Sequence, residues 1–94
     1  MEITGVIWLD EIVEKLEYKH RVSIYEVEEV MSSKPRFKKM QKGRFRGEDV
    51  FRALGQTYSG RYLVVIFIYK RTKQALVLSA RDMDQKERRS YGKK

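Results

Sequence analysis

The sequence has no cysteine, one proline and one histidine, His20. Without cysteine there can be no disulfide bond or thiolate metal site, and a single histidine makes a zinc cluster implausible. The longest apolar run, Tyr62 to Tyr69, has eight residues, well short of the ~20 that a membrane-spanning helix needs. The first residues lack the basic and apolar segments of a signal peptide. These absences predict a soluble cytoplasmic protein with no membrane association, no metal site and no cofactor.

Charge is unevenly distributed along the 94 residues, whose net charge is +8. Residues 1–33 hold three Lys or Arg against eight Asp or Glu, a net charge of −5. Residues 34–94 hold eighteen against five, a net charge of +13. Such a domain offers a basic surface to a polyanion and an acidic surface to other contacts. The basic part favours nucleic acid as a partner, although charge of this kind also serves ordinary solubility.

The hydrophobic pattern predicts a single domain over residues 1–94, with 92–94 as a flexible basic tail. Helical spacing of apolar residues predicts two early helices, and Ser23 with Glu26 matches a capping box at the start of the second. The expected elements are a strand over 3–8, helices from about 10 and over 24–31, strands within 36–42 and over 49–57, 61–70 and 74–81, and a helix over 85–91. This order, β-α-α-β-β-β-β-α, predicts an α+β domain with a small antiparallel or mixed sheet.

The segment 34–47, KPRFKKMQKGRFRG, combines seven basic residues with Phe37 and Phe45 and has no acidic residue. Lysine and arginine neutralise phosphates, and aromatic rings can stack on the bases of single-stranded RNA. Alternatively, both rings belong to the core and the cations lie on the outer face of an edge strand, where they also discourage aggregation. We favour core phenylalanines with cations that contact RNA. The RNA-binding candidates are Lys34, Arg36, Lys38, Lys39, Lys42, Arg44 and Arg46.

The segment 78–91, LSARDMDQKERRSY, begins as the end of an apolar strand and becomes charge-dense. Asp84 and Glu87 can be explained as the capping pair of the last helix. Arg81 has no such local explanation, and Arg88 and Tyr91 share one helix face because they are three residues apart. Arginine can stabilise charge on a phosphate while Glu, Tyr or Lys transfers protons, so these residue types can cleave RNA without a metal ion.

Two further features of the sequence carry weaker indications. His20 lies between the two early helices, and a lone histidine there is more often structural than catalytic. The same pair of helices suggests a helix-turn-helix, but its recognition helix would carry Glu26, Glu28 and Glu29, which would face the negative charge of DNA. We therefore set the helix-turn-helix interpretation aside.

Several stretches together resemble the BrnT-type toxins of bacterial toxin–antitoxin pairs: KHRVSIYEVEEVM, GED at 47–49, ALGQTYSGRYLVVIF and LSARDMDQKERRSY. The resemblance covers about residues 8 to 91, with Arg21 in place of a glycine typical of the family. It implies a RelE-like fold, a ribonuclease activity that halts translation, and neutralisation by a small DNA-binding antitoxin. Carried over residue by residue, it points to Lys19, His20, Glu48, Arg61, Arg81, Glu87, Arg88 and Tyr91.

The leading hypothesis is thus a metal-independent endoribonuclease toxin that acts on RNA and forms a complex with its antitoxin, with a homo-oligomer as a further possibility. In this hypothesis Arg61 and Arg81 contact the scissile phosphate and Arg88 supports them. Proton transfer falls to Glu87, Glu48 or Tyr91, which the sequence does not rank. The alternatives are a non-catalytic RNA- or DNA-binding module and a basic domain that binds an acidic partner.

Overall fold

The computed structural model of the chain describes residues 1–41 and 48–93. Its elements are β1 (Gly5–Ile7), α1 (Asp10–Lys15) continued by one π-helical turn (Leu16–His20), α2 (Ile24–Ser32), β2 (Arg36–Gln41), β3 (Val50–Gln56), β4 (Tyr62–Tyr69), β5 (Gln74–Asp82) and α3 (Gln85–Gly92). This order confirms the predicted α+β class. Within the described ranges no helix is long and apolar enough to cross a membrane.

The five strands form one mixed sheet in the order β1-β5-β4-β3-β2. β1 runs parallel to β5, and the other neighbours are antiparallel. β4 is the central strand, and Val64 and Val65 on its two faces are both fully buried. Because the run at 62–69 is apolar at every position, it predicts a central strand covered on both faces, and the structure confirms this.

One face of the sheet carries the larger core, which α1 and α2 cover. The helical spacing of Ile24, Val27 and Met31 predicts that all three face inward. Val27 and Met31 are buried, together with Val30, whereas Ile24 is only half-buried. Gly55 of β3 lies directly under α2, because a Cβ atom there would come within 2.9 Å of Val30 Cγ1. The helix can therefore approach the strand closely only where the side chain is missing.

The opposite face of the sheet is covered by α3 over a small apolar cluster. Leu54, Val64 and Met83 are buried there, and Tyr62 and Tyr91 pack against them. The α3 helix is eight residues long, too short for its intrinsic propensity to hold it in place. Its attachment to the sheet therefore depends on this cluster and on the polar contacts described below.

The turn between the π-helical segment and α2 is made by Arg21, which has a φ of 53°. This left-handed conformation favours glycine, and it is the position at which the resembling family typically has glycine. Ser23 then begins α2 with the predicted capping box, since its hydroxyl accepts from the Glu26 amide and Glu26 accepts from the Ser23 amide. The predicted tail at 92–94 stays a prediction, because Gly92 still belongs to α3 and Lys94 lies outside the described residues.

Candidate active site

The start of α3 is organised by the predicted pair of residues, Asp84 and Glu87. The Asp84 carboxylate accepts from the Glu87 amide at 2.7 Å, and the Glu87 carboxylate accepts from the Asp84 amide at 2.9 Å. This reciprocal capping box fixes the first turn of the helix. It also turns the Glu87 side chain towards the sheet, where it is 8% exposed.

Glu87 meets two guanidinium groups beneath α3. Arg81, near the end of β5, donates to its two carboxylate oxygens at 2.6 and 2.8 Å, and Arg52 of β3 lies 3.4 Å from one of them. The hydrogen bonds from Arg81 lower the pKa of Glu87 from 4.5 to about 2 against the opposing effect of burial, and the pKa of Arg81 is raised by the same bonds. Glu87 is thus a permanently ionised anchor at neutral pH and a weak proton acceptor.

The depressed pKa of Glu87 predicts a specific loss of stability in acid. The unfolded chain, with the ordinary pKa of 4.5, binds the proton more tightly than the folded one, with a pKa of about 2. The contribution of Glu87 is therefore complete above about pH 4.5 and is lost as the pH falls from there towards about 2. We expect the loss to reach about 3 kcal/mol. This loss can be measured by urea unfolding of the unchanged protein and of Glu87→Gln between about pH 4.5 and 2. The free energies of unfolding of the two proteins should converge at low pH. A constant difference between them would contradict the assignment.

Arg61 uses its guanidinium group to join three parts of the chain. It donates to Asp82 at 2.7 and 3.2 Å, to Glu26 at 3.2 and 3.3 Å, and to the carbonyl oxygens of His20 and Arg21 at 3.1 and 2.7 Å. The hydrogen bond to Asp82 raises the pKa of Arg61 and lowers that of Asp82. Every N–H-bearing nitrogen of Arg61 is thus engaged, so the residue connects the sheet to the turn before α2.

The remaining candidates from the resemblance lie elsewhere on the molecule. Glu48 is half-buried just before β3, at the end of that strand away from α3. Lys19 is exposed on the π-helical turn and borders an acidic groove formed by α1 and that turn. His20 is half-buried close to Asp82, and its carbonyl accepts from Arg61. The structure therefore does not bring the eight candidates together at one point.

Arg88 and Tyr91 do meet the basic segment, in a cleft between α3 and the ends of three strands. The cleft has a volume of about 620 Å³ and is lined by Lys34, Arg36, Gln56, Tyr62, Arg88, Arg89, Tyr91 and Gly92. Lys34 enters it from the turn before Pro35, where the backbone has a φ of 58°. The left-handed conformation is uncommon for a residue other than glycine and is found repeatedly at functional sites.

Aromatic contacts hold the cationic group of Arg88 in this cleft. The Arg88 guanidinium carbon lies 4.2 Å from the centre of the Tyr62 ring, and the Tyr62 and Tyr91 rings meet edge to face at 6.0 Å. Within the described part of the chain no hydrogen bond or ion pair engages the Arg88 side chain. Arg36 is partly engaged, since it donates to the Ser90 carbonyl at 2.7 Å. The free donors in the cleft can therefore bind an anion.

The other cations of segment 34–47 divide between the two faces of β2. Arg36 and Lys38 face the side of the sheet that carries α3, as their cross-strand partners Leu54 and Arg52 show. Phe37 faces the larger core and packs edge to face on Phe67 at 5.9 Å, as predicted. Lys39 lies on the same side as Phe37 and pairs with Asp49 at 3.0 Å. The predictions for Lys42, Arg44, Phe45 and Arg46 fall outside the described residues.

Sequence reasoning missed four residues of this region: Arg52, Gln56, Tyr62 and Arg89. Tyr62 opens the apolar run of the central strand, so its pattern indicates only a core position. Arg52 is a charged residue in the otherwise mostly apolar strand sequence VFRALGQ. A charge at such a position is the signal that could have identified it. Gln56 and Arg89 have no distinguishing local pattern.

The donor set of the cleft is that of an anion-binding site. Among the described residues that line it there is no carboxylate and no imidazole, whereas three arginines, one lysine and two phenols are present. Arginine is well suited to phosphate because its planar N–H groups can bind two oxygens at once. Among the described ranges no group of three or more His, Cys, Asp or Glu residues could hold a metal ion. Fold and cleft together define a small basic α+β protein with a cleft whose donors suit a phosphate-like anion.

Residues 8–87 match the model of the family described as the ribonuclease toxin BrnT of type II toxin–antitoxin systems, and the chain belongs to this family. No curated protein matches the chain significantly. Membership confirms the resemblance read from the sequence. It makes the chain a toxin–antitoxin ribonuclease toxin, with RNA as its substrate and a cognate antitoxin as its partner.

Proposed function

We propose that this protein is an endoribonuclease toxin that cleaves RNA in the cytoplasm without a metal ion and thereby inhibits translation until its antitoxin binds. The single observation that carries the proposed site is the position of Arg88, held over Tyr62 beside Tyr91 in a cleft lined by Lys34 and Arg36. A single-stranded RNA can offer this cleft a phosphate for the cations and a base for the half-buried tyrosine rings.

The chemistry of such a cleft is transfer of the phosphate within the RNA strand. The ribose 2′-oxygen forms a bond to phosphorus and the bond to the 5′-oxygen breaks, which leaves a cyclic phosphate and a free 5′-hydroxyl. The 2′-hydroxyl loses its proton to water. The leaving 5′-oxygen takes a proton from the Tyr91 hydroxyl, which water then restores. Arg88 binds the non-bridging oxygens and stabilises the negative charge that develops on them, with Lys34 and Arg36 in support.

The other candidates have a different role in this proposal. Arg81 and Glu87 are positioning residues, since their ion pair holds α3 and thereby places Arg88 and Tyr91. Arg61 stabilises the fold around the start of α2. Glu87 does not act as the base because its carboxylate is already occupied and its pKa is held at about 2.

Cleavage in the presence of a chelator tests the proposal directly. Purified protein incubated with a long RNA in EDTA should produce fragments with cyclic phosphate ends, at a rate that added magnesium does not raise. Replacing the RNA with a fully 2′-O-methylated strand should prevent cleavage, because the attacking hydroxyl is then blocked. Cleavage only with added divalent metal would contradict the mechanism. Salt-dependent binding without any product would instead indicate a non-catalytic nucleic-acid-binding module.

A further inference from the structure

A second basic recess lies beside the cleft on the same face of the sheet. Its volume is about 400 Å³, and it is lined by Arg36, Phe37, Lys38, Arg52, Leu54 and Ser90. Arg36 lines both the recess and the cleft, so the two are adjacent. Lys38 follows Arg36 by two residues on the same face of β2, a separation of about 7 Å along an extended strand. The cations therefore continue from the cleft in one direction along β2.

The recess carries positive charge that the described residues do not neutralise. Lys38 and Arg52 are directly opposite each other on β2 and β3, and like charges in this position destabilise a sheet. Arg52 Nε is buried and has no hydrogen-bond partner among the described residues. The nearest carboxylate is that of Glu87, 3.4 Å from Arg52 Nη1, and it is already bound at shorter distance by both N–H groups of Arg81.

Protection of an edge strand does not account for this arrangement. A lysine on β2 could serve that purpose, because β2 is the last strand of the sheet. Arg52, however, lies on β3, which is paired on both sides, so its charge protects no edge. Glu87 brings one negative charge to the two guanidinium groups of Arg52 and Arg81, so positive charge remains in excess beside Lys38. An anion bound between Lys38 and Arg52 would neutralise that excess.

We infer that the recess formed by Arg36, Lys38 and Arg52 binds a second backbone phosphate of the RNA, adjacent to the phosphate in the cleft. This inference rests on the proposed function and adds the path of the strand, which runs from α3 along β2. Lys38 and Arg52 hold the substrate without taking part in bond breaking. Their effect is on RNA affinity and on the salt dependence of binding.

The test compares Lys38→Ala with the unchanged protein in binding to fluorescent 2′-O-methylated oligonucleotides at a series of salt concentrations. Lys38 is the better position for substitution, since it is exposed and makes no hydrogen bond or ion pair within the described ranges, whereas Arg52 also contacts Glu87. Arg71→Ala is the matched control. Arg71 is equally exposed and basic, but it lies in the β4–β5 turn at the far end of the sheet.

For an octanucleotide, Lys38→Ala should weaken binding and make the slope of log affinity against log salt less steep by about 0.7, the value for one phosphate contact with a single strand. A dinucleotide, which fills only the cleft, should bind Lys38→Ala and the unchanged protein equally. Lys38→Arg should restore the slope, and Arg71→Ala should leave it unchanged. If Lys38→Ala and the unchanged protein show the same slope, the inference is overturned while the proposed function is unaffected.

Two other outcomes also decide the matter. If the unchanged protein binds no RNA, the proposed function fails and the inference falls with it. If Lys38→Ala binds RNA normally but loses affinity for the antitoxin, the recess is a protein contact and the inference is overturned on its own.

Discussion

Arg88→Ala should slow RNA cleavage about 10²–10³-fold while leaving the domain folded. The large effect on rate is expected because Arg88 is held over an aromatic ring in the cleft and its donors are free of hydrogen bonds to the described residues. The small effect on stability follows from exposure, since its described contact is with the Tyr62 ring and such cation–π contacts at the surface contribute about 0.5–1 kcal/mol. Cleavage rates in EDTA and thermal unfolding followed by circular dichroism measure the two effects.

Two further variants sharpen this experiment. Arg88→Lys keeps the charge but loses the planar group that binds two oxygens, so its rate should lie between those of the protein and Arg88→Ala. Lys86→Ala is the matched control, because it removes a positive charge from an exposed position of the same helix that does not line the cleft. A full cleavage rate in Arg88→Ala would show that the reaction takes place elsewhere.

Glu87→Gln should lower the free energy of unfolding by about 3 kcal/mol at neutral pH, because it leaves two guanidinium groups without their carboxylate. The glutamine can still accept the Asp84 amide hydrogen bond of the capping box, so the loss reports the charge and not the cap. Cleavage should fall as well, since α3 carries both Arg88 and Tyr91. Urea unfolding at pH 7 measures the stability, and cleavage at a temperature where the variant is folded measures the rate.

A double-mutant cycle that combines Glu87→Gln with Arg81→Met tests whether Arg81 is the partner of Glu87 that stabilises the fold. If the ion pair causes the effect, the losses of Glu87→Gln and Arg81→Met should not add, and the interaction energy should exceed 1 kcal/mol, within the range of about 0.5–3 for residues in contact. The exposed pair Lys73–Glu2 is the control, with a distance of 3.0 Å and side chains 58% and 68% exposed. Lys73→Ala should cost much less than Arg81→Met because water screens that pair. Additive losses at Arg81 and Glu87 would contradict the anchoring role.

The fold could be predicted from the sequence to a large extent because its signals are local. Both capping boxes, at Ser23 and at Asp84, depend on residues three apart, and both are present as expected. The apolar run of β4 likewise needs no partner to be recognised as a central strand. The sequence allowed a mixed sheet but did not predict that β1 pairs with β5 in parallel. These strands bring together residues about 70 positions apart in the chain.

The candidate site could be predicted only in part. Arg88 and Tyr91 were correctly placed on one face of a helix, and Arg36 was correctly named as a basic residue of β2. The pairing of Arg81 with Glu87 was missed, although the sequence singled out both as separate catalytic candidates. A capping pair accounts for Glu87 locally, so nothing in the sequence requires a further partner for its carboxylate.

The sequence by itself determined the order of elements, the helix starts, the division into an acidic and a basic part, and the family. The tertiary structure alone decided which cations are free to bind an anion. Arg61 and Arg81 are occupied by carboxylates, whereas Arg88 lies over Tyr62 and none of the described residues engages its donors. The reason is physical: helix caps and strand alternation arise between near neighbours, but an arginine finds its partner across the sheet register, which brings together residues that are far apart in the chain.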